Sequence, residues 1–350
     1  MTEIDFFRNE DYDALAHLTK RSFAQSAYTV DRHLPRALYG EVFFQTVATR
    51  ALRENSNACL VARRKRTPLG YIIYGVDLEL SKKFGYTLAT IILFCVDEAC
   101  RGQGVGRLLL ARAIDLLKSR GVALLTVGTD ANNLPALTLY QRAGFVTRLT
   151  WGAWRLYPNY PSLPVASPCR VSPWSGEEQA LQLCRQIDRP ISYFRDSNIP
   201  ARGLVRLRKE LTANLQNHIR QQKSFAYAAY GSGFWGERAL GLLAWEEDAS
   251  IEKFFNSAEV EKRIYRISDV LVARTLRGQG IASQLVKSFC SDVAARAHFI
   301  EAWIAMDDWA SINVFVKNSF RPAHLATVLH LWLTAPGTSG VRIQRERRHI

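Results

Sequence analysis

No apolar run of about 18 residues occurs anywhere in the 350-residue sequence, the length a membrane-crossing helix needs. The opening "MTEIDFFRNEDYDALAHL" places acids where a secretory leader carries a basic segment followed by an apolar one. A cytoplasmic location and no membrane partner are the expectations. The six cysteines, Cys59, Cys95, Cys100, Cys169, Cys184 and Cys290, form no C-x-x-C pair and no ligand spacing with histidine. A disulfide framework and a zinc site are therefore disfavoured, and no metal is expected. Gly-Lys-Ser/Thr is absent, which removes a nucleotide-triphosphate loop, and the glycines at 102, 104 and 106 fall as G-x-G-x-G and those at 278 and 280, with Ala282, as G-x-G-x-A, which is not the G-x-G-x-x-G spacing of a dinucleotide fingerprint.

At 48% hydrophobic and 22% charged residues, the chain has the composition of a globular protein, and its length calls for two cores. The formal charge of +14 is spread evenly, half of it before residue 158 and half after. Such a balance suits an anionic cofactor in each half and leaves a nucleic-acid or acidic partner open. The sharpest basic runs are "ARRKRTP" (62–68) and "RIQRERRHI" (342–350).

Two stretches nearly repeat: "CRGQGVGRLLL" at 100–110 and "LRGQGIASQLV" at 276–286. Each follows an apolar strand pattern, "YTLATIILFCV" (86–96) and "YRISDVLVA", and precedes a helical one. In the first helix Leu108, Leu109, Ala111, Ala113, Ile114 and Leu117 set the period, and Gly121 stops it. From loop arginine to the phenylalanine ending the next helix, the distance is 44 residues in the first copy and 43 in the second. A whole domain has been duplicated, giving a pseudo-dimer within one chain. The proline-rich "YPNYPSLPVASPCRVSPW" marks the boundary. The predicted division is a first domain at 1–157, a linker at 158–172, a second domain at 173–335 and a basic tail at 336–350.

The surrounding pattern fills in each copy. "IDFF" reads as a strand and "NEDYDALAHLTKRSF" as a helix capped by Asn9. "NACLVARRK" and "LGYIIYGVDLEL" read as antiparallel strands, "VALLTVGT" as a buried strand and "NNLPALTLYQRAGF" as an asparagine-capped helix ended by Gly144. "VTRLTWGAWRLY" is predicted to close the first unit as a strand pair. The second half replays the order, with Ser175 as cap, a hairpin of "FAYAAYG" and "RALGLLAWEED", and "FIEAWIAM" before "SINVFVKNSF".

A strand running through glycines into a helix aims backbone N–H groups and the positive helix end at an anion, phosphate above all. The spacing of Arg101-Gly102-Gln103-Gly104-Val105-Gly106, and of Arg277-Gly278-Gln279-Gly280-Ile281-Ala282, resembles the acetyl-CoA loop of the GCN5-related N-acetyltransferase (GNAT) superfamily. So do Asn133, Ala136, Tyr140 and Gly144-Phe145, which match that family's pattern after its fifth strand. The resemblance covers about 86–157 well and 265–333 nearly as well.

It implies an α/β fold of two tandem domains, each a central mixed sheet with flanking helices. It implies an acetyltransferase moving an acyl group from acetyl-CoA to a primary amine. The amides from Gln103 to Arg107 would hold the diphosphate, with Arg101 and Arg107 adding charge. The strand end at Phe94, Cys95 and Val96 would carry the N–H that polarises the thioester, and would part from the next strand to admit the pantetheine arm. Leu271 and Val272 are the counterparts in the second copy. Asn133 caps the helix that presents Tyr140, the group at the departing sulfur.

In the second copy Phe315, Asp308, Ser311 and Ser319 replace Tyr140, Asn133, Ala136 and Gly144. The expected division is a catalytic first domain and a second that binds CoA without turnover or shapes the acceptor site. The strand at 86–96 contains no acid to serve as base; Asp97, Glu98 and Asp130 lie nearby, and the second copy offers Asp269. Two other readings stand beside this one. One is a non-catalytic acyl-CoA-binding regulatory module, the other an acetyltransferase acting on an RNA-linked amine such as aminoacyl-tRNA. Acceptor identity falls to 20–58 and 185–222, where His33 reads as a turn residue. Monomer and homodimer are both open.

Overall fold

A computed structural model describes residues 2–23, 44–54, 58–157, 169–186, 192–221, 226–233, 236–247 and 263–334. The linker core at 158–168, His33 and the basic tail lie outside these residues.

The alternating patterns near the start fold as β1 (Glu3–Phe6), β2 (Cys59–Arg64) and β3 (Thr67–Val76), all antiparallel. β3 is shorter than its pattern predicts. Asp77 accepts the Leu80 N–H at 2.8 Å and starts helix α3 (Leu78–Phe84), so "DLEL" is a capped helix and not strand. Helix α1 (Tyr12–Ser22) likewise begins later than expected. Asn9 opens a short 3-10 turn and caps nothing, while Asp11 accepts the Arg8 N–H at 2.7 Å and pairs with the buried Arg63. A short helix α2 (Thr49–Glu54) follows.

β4 (Thr87–Val96) then leads through the first glycine loop into α4 (Val105–Ser119), followed by β5 (Val122–Asp130) and α5 (Leu134–Arg142). The buried stripe of α4 is Val105, Leu109, Leu110, Ala113 and Leu117. Leu108, 46% exposed, and Ala111 point outward, one step off the predicted stripe, because the sheet takes the side that Val105 begins.

The second half repeats this order. β7 (Arg170–Pro173) precedes α6 (Glu178–Gln182), whose N-cap is Glu177; Ser175, the predicted cap, bonds the Glu177 side chain instead. The long α7 (Ala201–Gln221), the hairpin β8 (Ala226–Gly233) and β9 (Gly236–Glu247), and β10 (Arg263–Val272) come next. α8 (Ile281–Val293), β11 (Ala297–Ala305) and α9 (Trp309–Lys317) complete the set. Among the described residues no helix is long and apolar enough to cross a membrane.

With β6 (Val146–Leu156) and β12 (Arg321–Trp332), the two halves share, among the described residues, one twelve-stranded sheet in the order β1-β2-β3-β4-β5-β12-β6-β11-β10-β9-β8-β7. "VTRLTWGAWRLY" does not close its own unit as a strand pair. It forms one strand, β6, that pairs with β11 of the second half, while β12 crosses to pair with β5 of the first. β6 and β12 pair with each other at the centre. Each half thus finishes its sheet with the other's last strand: Trp154 and Leu156 join the core under α8, and Leu329 joins the core under α4. A strand's edge hydrogen bonds accept any neighbour in register, so the exchange keeps every ladder paired while burying both outgoing strands.

Candidate active site

The two glycine loops have the same backbone. Arg101 (φ −64°, ψ 150°) corresponds to Arg277 (−65°, 151°), and Gly104 (84°, −2°) to Gly280 (82°, −3°). Gly102 and Gly278 also sit at positive φ, 75° and 84°. These left-handed positions are why glycine recurs there. Gly106 is different: its φ is ordinary, a β-carbon would meet only Leu139, Val96 and Phe94 at 3.5–3.7 Å, and the second copy has Ala282.

Neither helix has a side-chain cap. The first intrahelical bonds run from Leu108 N–H to Gly104 and from Gln284 N–H to Gly280, both 3.0 Å. The amides of Val105, Gly106 and Arg107, and those of Ile281, Ala282 and Ser283, therefore open each helix without a helical acceptor. Open space surrounds Gly102, Gly104 and Gly278, with nothing within 4 Å of a β-carbon. Arg101 Nε donates to Val96 O at 3.4 Å, Arg277 Nε to Val272 O at 3.5 Å, and Arg107 and Gln279 are exposed. Gln103 Nε2 donates to Ala99 O at 2.8 Å, and its Oε1 accepts from Arg64 Nη2 at 3.3 Å. Arg64, from the basic turn between β2 and β3, is a neighbour of the loop that sequence spacing does not reveal.

The parting of strands predicted for the first half is present there, and the second half has it too. β4 and β5 are parallel partners only as far as Ile91 and Val127, and β10 and β11 only as far as Ile267 and Ala302. A bulge at Ile92 turns the rest of β4, through Phe94, Cys95 and Val96, toward β3 alone. Ser268 does the same for Asp269, Val270, Leu271 and Val272 on β10. β5 continues past Val127 paired only to β12. Each half therefore holds a V-shaped opening lined on both sides by backbone groups.

Asn133 Oδ1 accepts the Ala136 N–H at 3.3 Å and starts α5, which carries Tyr140 into the wall of the first opening. The Tyr140 ring lies 6.3 Å from Phe94 and 5.5 Å from Phe145, and no hydrogen bond joins its hydroxyl to another described residue. Burial, then the nearby Cys95 thiol, pushes its pKa well above the ordinary value. Burial also raises Cys95 itself, to about 11. In the second half the scaffold persists without the hydroxyl. Asp308 accepts the Ser311 N–H at 3.0 Å, Phe320 N–H reaches Phe315 O at 3.0 Å as Phe145 N–H reaches Tyr140 O, and Ser319 holds φ 66° where Gly144 holds 92°.

The acids near the first loop are differently placed. Asp97 caps the following turn through the Ala99 N–H at 3.0 Å and pairs with Arg21 at 2.6 Å. Glu98 is exposed, and Asp130 ends β5 half-buried. Asp269 is buried on β10 at the counterpart of Leu93.

Residues 15–145 match the family model described as Acetyltransferase (GNAT) family, and residues 258–328 match that described as FR47-like protein. Over 149 residues the chain is 26% identical to the spore coat polysaccharide biosynthesis protein SpsD of Bacillus subtilis, covering 43% of this chain and 48% of that protein. Over 57 residues it is 44% identical to the ribosomal protein bS18-alanine N-acetyltransferase of Escherichia coli K12, covering 16% and 38%. The chain thus spans about half the length, or less, of these curated relatives. A GCN5-related N-acetyltransferase from Sphaerobacter thermophilus aligns over 95% of this chain and 96% of its own at TM-score 0.59 and 15% identity. A tandem GNAT protein from the clavulanic acid biosynthesis pathway aligns over 95% and 99% at 0.54 and 15%.

Proposed function

Since this chain is a tandem member of the GCN5-related N-acetyltransferase superfamily, we propose that it transfers an acetyl group from acetyl-CoA to a primary amine, with the first half catalytic. The observation that carries this reading is the pairing of an uncapped, glycine-gated helix with a V-shaped parting of β4 from β5 in each half, and a tyrosine hydroxyl at only one of the two.

The bound coenzyme supplies a thioester whose carbonyl is open to attack by nitrogen. The amides of Val105, Gly106 and Arg107 suit its diphosphate, since N–H groups at a helix start and nearby guanidinium groups favour multiple negative charge. Arg101, Arg107 and Arg64 are those guanidinium groups. The backbone of Phe94 to Val96, left unpaired on the β5 side, is available to the pantetheine arm and to the oxyanion that develops on the carbonyl. Tyrosine ordinarily ionises about 1.5 pH units above a thiol, which makes full proton transfer to a thiolate uphill by about 2 kcal/mol. Burial widens that gap for Tyr140. Its role is therefore to donate a hydrogen bond to the departing sulfur, with any proton transfer late.

The second half holds CoA through the amides of Ile281, Ala282 and Ser283 without turning it over, because Phe315 keeps the packing of Tyr140 and lacks its donor. Incubation with labelled acetyl-CoA and a panel of primary amines tests the assignment. Tyr140→Phe lowers kcat about 10- to 100-fold with acetyl-CoA affinity kept. Binding without transfer to any amine would instead mark a silent acyl-CoA-binding module.

A further inference from the structure

β12 brings a histidine to the face of the first half's sheet opposite α4. His330 stands directly across from Thr126 of β5, and Thr126 immediately precedes Val127, the last β5 residue paired to β4. His330 Nδ1 lies 2.7 Å from Asp196 Oδ2, and Nε2 lies 3.0 Å from Ser192 Oγ. Ser192 opens the short 3-10 helix Ser192–Arg195. His330 and Asp196 are each 1% exposed and Ser192 is 7%, so the serine is the outermost member of the array.

The order of bonds fixes the proton inventory. An ionised carboxylate only accepts, so Asp196 holds the proton on Nδ1 and leaves the Nε2 lone pair to the Ser192 hydroxyl. That is the arrangement in which an oriented imidazole withdraws a proton from a hydroxyl. Asp196 is in turn anchored by Trp332 Nε1 and the Asn198 N–H, both at 3.1 Å, and by Arg148 at 3.4 Å. Burial works to raise the Asp196 carboxyl, but its hydrogen bonds from His330, Asn198 and Trp332 and the charge of Arg148 keep it below the ordinary value. Burial outweighs the pull of Asp196 on His330 and lowers it, which leaves the imidazole neutral around pH 7. The groups facing the ring are Asp196, Ser192 and Tyr193 from one segment, Arg148 from β6, Thr126 from β5 and Trp332 from its own strand. Tyr193 bonds Thr126 and is raised by burial to about 12.

The corresponding place in the second half is occupied differently. There Glu301 of β11 stands across from Arg155 of β6, as Thr126 stands across from His330, and across from Arg266 of β10. Arg155 and Glu301 pair at 2.7 Å, Arg266 lies 3.5 Å from Glu301, and neither guanidinium can accept a proton. One half has a neutral proton acceptor at this site and the other a locked ion network.

We infer that His330, through the Ser192 hydroxyl, takes the proton released by the acceptor amine in the first half, so that the strand exchange lets the second half supply the base that β4 lacks. This rests on the acetyl-transfer reading. The N–C bond forms as the C–S bond breaks. An amine proton passes to Ser192 Oγ while the serine proton passes to Nε2. The imidazolium, stabilised by Asp196, then returns its proton to water, and the CoA thiolate leaves beside Tyr140.

Initial rates with acetyl-CoA and three primary-amine probes (spermidine, tyramine and a lysine peptide), from pH 6 to 9.5, test this, with melting temperature and acetyl-CoA affinity measured alongside. His330→Gln and Ser192→Ala are each expected to lose about 100-fold in kcat at pH 7. They should recover most of it at pH 9.5, where hydroxide takes the proton that the amine releases on attack, with acetyl-CoA affinity within twofold of wild type. Variants that melt lower yet keep the wild-type pH profile would overturn the inference alone. Wild-type protein that binds acetyl-CoA and acetylates no amine would overturn the transfer reading and this inference with it. Should His330→Gln fail to fold, Ser192→Ala carries the same test, because it removes only a hydroxyl and leaves the His330–Asp196 bond in place.

Discussion

Arg155 of the first half and Glu301 of the second meet at 2.7 Å, with side chains 1% and 0% exposed. Phe299 lies under the guanidinium at 4.6 Å, and Trp303 Nε1 donates to the other carboxylate oxygen at 2.8 Å. A pair this deep has bought little net stability over apolar side chains of the same size, because both charges have left water. Removing one partner strands the other. Glu301→Ala is therefore expected to destabilise the protein by about 3–5 kcal/mol in urea unfolding, whereas Arg155→Met with Glu301→Leu should recover most of that loss, falling short because Arg266 also loses Glu301 and keeps Glu246 at 3.6 Å.

Strand exchange makes the halves interdependent. Residues 1–157 expressed alone would lack β12, exposing the edge of β5 and leaving the core around Leu329 incomplete. Size-exclusion chromatography and circular dichroism should find this fragment aggregated or self-paired, and co-expression with residues 158–350 should restore a folded complex. A folded, monomeric 1–157 would contradict the exchange.

The loop glycines separate by conformation. Gly104→Ala forces a β-carbon into φ 84°, costing about 1–2 kcal/mol and disturbing the amides that follow. Gly106→Ala meets only ordinary contacts and copies Ala282. Calorimetry with CoA should find weakened binding in the first variant and nearly unchanged melting temperature in the second.

Acid should destabilise the protein partly through His330. Its folded-state pKa lies below its unfolded one, so protons favour the unfolded chain. The contribution is complete above the unfolded value near 6.5 and is lost as pH falls toward the folded value. Asp196, also lowered, loses its share at lower pH still. Denaturant unfolding at pH 7.5 and 5.5 should find a smaller drop in His330→Gln than in wild type.

Local chemistry made the loops legible. Gly102, Gly104, Gly278 and Gly280 are demanded by positive φ, and Asn133 and Asp308 by the helices they cap, so these residues announce their roles within a few positions. Asp77 ended β3 early because its capping bond competes with strand, a contest that alternation alone does not reveal. The exchange of β6 and β12 left no trace in the pattern, since an apolar strand looks the same whichever neighbour it pairs with. Ser192, Asp196 and His330 were missed for the same reason: up to 138 residues separate them, and polar residues on a strand or turn read as solvent-facing.

The central claim is that the amides opening α4 and α8 hold the diphosphate of CoA. Isothermal titration of acetyl-CoA into folded full-length protein tests it most directly. The expected result is saturable binding to two sites, one of them weakened about tenfold by Gly280→Ala and both when Gly104→Ala is added. Folded wild-type protein that takes up neither acetyl-CoA nor CoA would contradict it.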